Sequence, residues 1–190
     1  VKIIKGSGVD LEKFKFSRIT YKIPKILMAS RIIEDKGVLE FIKAASYLKK
    51  KKFKAKFYLI GDVDKANPSV IHKKTVDNWI KNKLVNYVDH QQNIEMFIKR
   101  SAIVVLPSYR EGFPKILMEA AAIGRPVITT NVPGCRDAII RNVTGILVPV
   151  KNYIALAKSI EKLKKNKKKL KKIGIAARKH AIKNFNVTDI

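Results

Sequence analysis

Two glutamates, Glu111 and Glu119, stand eight positions apart with Gly112, Phe113, Pro114 and Lys115 between them. A buried-looking strand over 102–106 (AIVVL) stops at Pro107, and from Pro114 the sequence reads as an apolar helix with Glu119 inside it. Strand, polar turn and helix in that order leave unpaired backbone N–H groups and a positive helix end pointing out of a sheet edge, which suits an anion. Proline fits the first helical position, where its missing N–H is not needed. At about 1.5 Å of rise per residue, Glu119 lies about 7 Å along the axis. From there a carboxylate can accept hydrogen bonds from vicinal hydroxyls while the helix tip faces a phosphate, as a nucleotide sugar would require. The plainer readings are a solvated helix-face glutamate at Glu119 and an acidic cap at Glu111.

Arg31 and Lys36 follow a strand-like run at 25–29 (KILMA). Their spacing puts one cation on the loop and the other at the start of the next helix. A planar guanidinium fork and a compact ammonium can both meet a diphosphate. In a chain this basic they can equally be two surface cations. The turn at 6–10 (GSGVD) superficially looks like a phosphate loop, but it lacks a third glycine and a following helix, so a dinucleotide fingerprint is rejected. Cys135 has no histidine-based dyad beside it and reads as a small packed residue.

These residues need a scaffold, and the hydrophobic pattern supplies one. Strand-like runs at 25–29, 53–60, 85–88, 102–106, 126–129 and 145–148 alternate with helical patterns at 36–49, from about 68 to 84, 94–99, 114–123, 152–164 and 167–184. A helical turn is expected around 136–141. Alternation with short loops implies an α/β fold: a Rossmann-like parallel sheet with helices on both faces and right-handed crossovers. Ligands in such sheets bind at the carboxyl ends of the strands, where every candidate residue falls. In the last helix Leu170, Ile173, Ala177 and Ala181 form one apolar stripe with lysines opposite. That is a core-facing helix on the simpler reading and a basic membrane-surface helix on the sharper one.

The chain has 190 residues, 46% of them hydrophobic, enough for one α/β domain over 1–190 with a helical tail at 167–190. No apolar run approaches the roughly 18–20 residues that span a bilayer. It opens Val1-Lys-Ile-Ile without an initiator methionine and reads as part of a longer protein. The lone cysteine excludes an internal disulfide and is what a reducing compartment permits. His72, His90 and His180 are scattered, so no metal site is expected. The net charge of +26 is concentrated in lysine runs at 49–56 and 162–183. Such runs attract anionic membrane or nucleic acid, or simply reflect a composition rich in Lys, Ile and Asn. Without interleaved aromatics there is no base-stacking platform, which argues against nucleic acid.

Taken together, Glu111-Gly-Phe-Pro-Lys115, Glu119-Ala-Ala-Ala122 and Gly124-Arg-Pro-Val-Ile128 resemble glycosyltransferase family 4, retaining enzymes of the GT-B fold. The stretch 129–136 (TTNVPGCR) is similar to the bacterial subgroup that extends lipid-linked glycans, including N-acetylgalactosaminyltransferases acting on undecaprenyl-diphosphate sugars. Capsular polysaccharide and lipopolysaccharide glycosyltransferases share the resemblance, which runs from Gly6 to about Phe185. It implies that the chain is the C-terminal, donor-binding domain of a GT-B enzyme, with an N-terminal acceptor domain before it. By resemblance Arg31 and Lys36 neutralise the leaving nucleoside diphosphate in place of a metal, so no cofactor is expected. Glu111 holds a hydroxyl of the transferred sugar, and Glu119 the ribose. The N–H groups of Gly112, Phe113 and Lys115 line the sugar and β-phosphate around Pro114, and Val88 borders the base. The implied donor is UDP-N-acetylhexosamine and the implied acceptor a lipid-linked or polysaccharide glycan. The implied location is cytoplasmic, peripheral at the inner face of the cytoplasmic membrane. Asp89, Asn93 and Asn131 depart from the family pattern, and the first two bear on base selectivity. The competing reading from another class is a non-enzymatic basic α/β module that binds nucleic acid or anionic membrane.

Overall fold

A computed structural model describes residues 8–187. Six strands form one parallel sheet in the order β3-β2-β1-β4-β5-β6. They are β1 (Lys25–Ala29), β2 (Lys56–Ile60), β3 (Asn86–Val88), β4 (Ile103–Leu106), β5 (Val127–Thr130) and β6 (Gly145–Val148). The connecting helices are α1 (Val38–Lys50), α2 (Lys73–Lys81), α3 (Ile94–Lys99) and α4 (Lys115–Ile123). Two more, α5 (Tyr153–Lys165) and α6 (Lys167–Asn184), follow β6.

Alternation along each strand divides the core between two faces. Ile26, Met28, Phe57, Leu59, Ile103 and Val105 point to the side covered by α1, α2 and α5. Leu27, Ile60, Val104 and Leu106 point to the side covered by α3 and α4. The stripe on α6 serves both sides: Leu170 and Ile173 pack with the first cluster, Ala177 and Ala181 with the second. All four are buried, as a core-facing helix requires. The chain winds outward from β1 to β3, then returns to lay β4 against β1. The switch point therefore lies between β1 and β4, and the loops leaving those two strands carry Arg31, Lys36 and Glu111.

Several element boundaries differ from the sequence pattern for identifiable reasons. Lys36 is not at the start of α1. It ends a 3₁₀ turn, Glu34–Lys36, that Gly37 closes in the left-handed region at φ 73°. Glycine is required there, because a side chain would meet the Pro107 carbonyl oxygen at 2.1 Å. The helix expected from about residue 68 begins only at Lys73, since Ile71 donates to the Ile32 carbonyl and Glu34 to that of Ser69. Pro114 is the residue before α4 rather than its first, with ψ at 118°. The segment around 136–141 forms no helix; turns occupy 133–138 instead. Of the 6–10 turn, residues 6 and 7 lie outside the described residues; Val9 pairs with Asn186 and joins the two ends of the domain.

Candidate functional site

A hollow of about 630 Å³ opens at the carboxyl-end rim, within the size range of small-molecule sites. Ala29, Arg31 and Gly61 wall it from the ends of β1 and β2, Lys115 and Glu119 from the first turns of α4, and Lys13 from the N-terminal segment. Another hollow of about 570 Å³ at the opposite rim is lined by Phe53, Lys56, Ile80 and Lys83 among others, and holds no carboxylate.

Glu119 is the most informative side chain in the rim hollow. It is 7% exposed, yet no described residue donates a hydrogen bond to it. Burial raises its carboxyl pKa above the ordinary 4.5, Lys115 and Lys13 oppose that rise, and Glu95 adds to it. The fully buried, unpaired side-chain oxygens among the described residues are those of Tyr21 and Glu95 (Oε2), not those of Glu119, so the Glu119 carboxylate opens to the hollow, where a ligand that donates can reach it. Lys13 carried no sequence signal; it reaches the site only because the N-terminal segment crosses the mouth of the hollow.

The two cations do not converge on one point. Arg31 borders the hollow and its Nη1 lies 2.8 Å from Asp64 Oδ2. Lys36 instead turns to Glu111, Nζ to Oε1 2.6 Å, with side chains 19% and 10% exposed. Each cation is thus neutralised by the carboxylate its loop finds first, and Lys36 with Glu111 forms a second polar centre away from the walls of the Arg31 hollow. Ser108 Oγ also donates to Glu111 Oε1, at 2.6 Å. Ser108 stands three positions before Glu111 and carries no signal of its own in the sequence. Asp64 was missed as well, since nothing in the sequence links it to Arg31.

The loop between the glutamates presents backbone donors. Among the described residues no acceptor takes the N–H groups of Gly112, Phe113 or Lys115. Gly112 is exposed with open space around its Cα, and Pro114 is buried. Phe113 directs its ring away to meet Phe185 edge-on, centroids 5.7 Å apart. Gly134, at φ 75°, brings the 133–136 turn hard against this loop: a side chain there would meet the Gly112 carbonyl oxygen at 2.0 Å. Cys135 is buried beneath that turn, and burial pushes its thiol pKa up, opposite to what a nucleophile needs. Val88 is half-buried against the sheet and does not line the hollow; its carbonyl accepts from Gly61 N–H at 3.1 Å. His90 and Gln91 line that side instead. Asp89 accepts from the Tyr87 hydroxyl at 2.9 Å, and Asn93 precedes α3 without a capping hydrogen bond.

A doubly wound parallel sheet with cations, free N–H groups and an unpaired carboxylate at its carboxyl-end rim offers the kind of crevice in which open α/β sheets bind ligands. The comparisons give the family. Residues 10–180 match the family model described as glycosyl transferases group 1, and the chain belongs to that family. It is 30% identical over 190 residues to the capsular polysaccharide biosynthesis glycosyltransferase CapM of Staphylococcus aureus, covering 95% of this chain and 50% of the relative. It is 32% identical over 180 residues to the N,N'-diacetylbacillosaminyl-diphospho-undecaprenol alpha-1,3-N-acetylgalactosaminyltransferase of Campylobacter jejuni, covering 87% of this chain and 46% of the relative. The chain thus spans about half the length of the curated relatives it matches. Its fold superposes on Anabaena Alr3699/HepE, solved with UDP and glucose, at a TM-score of 0.81 and 18% identity, over 96% of this chain and 52% of that one. The competing reading, a non-enzymatic basic module, receives no support from these matches.

Proposed function

We propose that the chain is the donor-binding half of a retaining glycosyltransferase that moves a sugar from UDP-N-acetylhexosamine to a lipid-linked or polysaccharide acceptor. The product would be a cell-surface glycan such as capsule or lipopolysaccharide, and the acceptor would be held by a separate N-terminal domain. The observation that carries the reading is Glu119: a buried carboxylate without a protein donor, opening into a hollow that Arg31 and Lys115 share. It suits a ribose whose hydroxyls donate to the carboxylate while its phosphates lie toward Arg31 and the tip of α4. The two relatives named for capsule and undecaprenol-linked glycan synthesis, and the UDP bound by the Anabaena protein, support the donor and acceptor classes.

In this proposal the sugar leaves UDP with retention at its anomeric carbon, and a leaving phosphate oxygen accepts the acceptor proton. Negative charge then grows on the diphosphate. Arg31 from the hollow and the N–H groups of Gly112, Phe113 and Lys115 stabilise that charge without a metal; Lys36 joins them by exchanging its ion pair with Glu111 for the phosphate, which frees Glu111 to steady a sugar hydroxyl. In the full-length protein, Arg31→Ala or Lys36→Ala lowers turnover at least about tenfold. Unchanged turnover in both variants refutes the assignment. Calorimetric titration with UDP, GDP and ADP settles the base.

A cytoplasmic site at the inner face of the membrane belongs to the same proposal. No helix among the described residues is long and apolar enough to cross a membrane. The lysine runs at 49–56 and 162–172 meet at the rim opposite the hollow, where Lys164 Nζ lies 4.9 Å from the Phe53 ring centroid and Lys167 Nζ 5.9 Å from that of Tyr21. Such a concentration of charge suits an anionic bilayer. Co-sedimentation with phosphatidylglycerol vesicles, but not with neutral ones, tests it.

A further inference from the structure

Lys36 and Glu111 come from segments 75 positions apart, yet they meet at 2.6 Å. The backbones beneath them are stitched together. Tyr109 N–H donates to the Asp35 carbonyl at 2.8 Å, and Ser108 Oγ lies 3.3 Å from the same oxygen. Gly37 lies against Pro107 so closely that no side chain would fit. A second side-chain pair spans the same seam. The Tyr109 hydroxyl donates to Glu40 Oε2 at 2.8 Å, joining the 107–111 loop to the first turn of α1. Glu40 is 6% exposed, unusually buried for a glutamate. On the other side, Lys151 Nζ sits 4.9 Å from the centroid of the Tyr109 ring. Burial, reinforced by the hydrogen bond to Glu40, raises the Tyr109 hydroxyl pKa, so it remains a donor across the working pH range.

From this geometry we infer that Glu40 and Tyr109 are positioning residues, a part-buried latch that fixes the spacing between Lys36 and Glu111 without touching the ligand. The inference rests on the donor-binding reading above. A diphosphate facing Lys36 and a sugar facing Glu111 are sensed at the same time only if the two loops keep one separation. A part-buried carboxylate–phenol hydrogen bond, its carboxylate held on a helix, keeps that separation more stiffly than an ammonium on a four-carbon stem can. The ribose end of the site, at Glu119 on α4, does not depend on this seam. The latch should therefore affect ligands in proportion to how far they extend beyond the α-phosphate.

The 190-residue chain and its variants can be titrated by NMR with UMP, UDP and UDP-N-acetylglucosamine. Tyr109→Phe removes one oxygen and should weaken UDP-sugar binding about five- to tenfold while UMP affinity stays within about twofold. Glu40→Gln keeps an acceptor for the hydroxyl and should hold UDP-sugar affinity within about threefold of the parent. Glu40→Ala should match Tyr109→Phe, and the two together should cost no more than either alone. Equal loss for all three ligands would mean that the pair merely supports the fold, and parental binding by Tyr109→Phe would mean that the seam is irrelevant; either result overturns the latch alone. If the unsubstituted chain binds no nucleotide, the donor-binding reading falls and takes the latch with it.

Discussion

Arg125 and Glu119 are six residues apart, both buried and both chargeable, and the protein treats them in opposite ways. Arg125, fully buried at the amino-end rim, donates to the carbonyls of Ser17, Ile98, Lys99 and Ile123 and to the Ser17 hydroxyl. Burial pushes its pKa down to about 10, which still leaves the guanidinium charged at neutral pH. Glu119, at the carboxyl-end rim, receives no hydrogen bond from any described residue. The first charge closes the structure, tying the N-terminal segment to the ends of α3 and α4. The second is left open at the hollow, where a ligand can complete it. The Arg125 charge is consumed by the fold, whereas the Glu119 carboxylate is unpaired and open to the hollow, available to a ligand.

That contrast can be broken most forcefully at Arg125. Arg125→Met leaves four carbonyls and a hydroxyl without their donor, so chemical denaturation should show a loss of about 3–5 kcal/mol. A loss below about 1 kcal/mol would mean the network is ornamental. Next comes Glu119→Ala, expected to weaken UDP binding at least about tenfold, or about 1.4 kcal/mol, in a calorimetric titration, with little loss of stability. Undiminished binding would remove Glu119 from the site.

A pH series sharpens the comparison further. Because burial holds the Glu119 carboxyl pKa above 4.5 in the folded chain, folding takes up a proton there between the unfolded and folded values. Stability from this group is greatest on the acid side and falls as pH rises through that window. Glu119→Gln, which carries no such charge, should therefore gain stability relative to the parent as pH rises from 4.5 toward neutrality. UDP affinity of the parent should move the other way and strengthen over the same range, since only the ionised carboxylate accepts from two hydroxyls. Parallel melting curves for the two proteins at every pH would contradict this. The smallest effect belongs to Arg31 and Asp64, an exposed ion pair: Asp64→Ala should change stability by no more than about 0.5 kcal/mol.

Read alone, the sequence determined the parallel α/β class, the position of every strand to within a few residues, the loops that carry Arg31 and Glu111, and the helix that carries Glu119. It did so because strand and helix periodicities are local, and because Pro107, Gly112 and Pro114 punctuate the chain where it turns. The family was legible for the same reason, its motif being a short contiguous run. Long-range pairings were not legible: Lys36 with Glu111 and Glu40 with Tyr109 across the switch point, Arg31 with Asp64 between the loops after β1 and β2, and Arg125 with Ser17 at the opposite rim. Each joins residues more than thirty positions apart, and in a chain with 41 lysines and arginines no pattern says which cation a carboxylate will meet. Only folding decided that, by bringing the ends of β1, β2 and β4 together at one rim, by closing Arg125 over the other, and by leaving the Glu119 carboxylate open to the hollow.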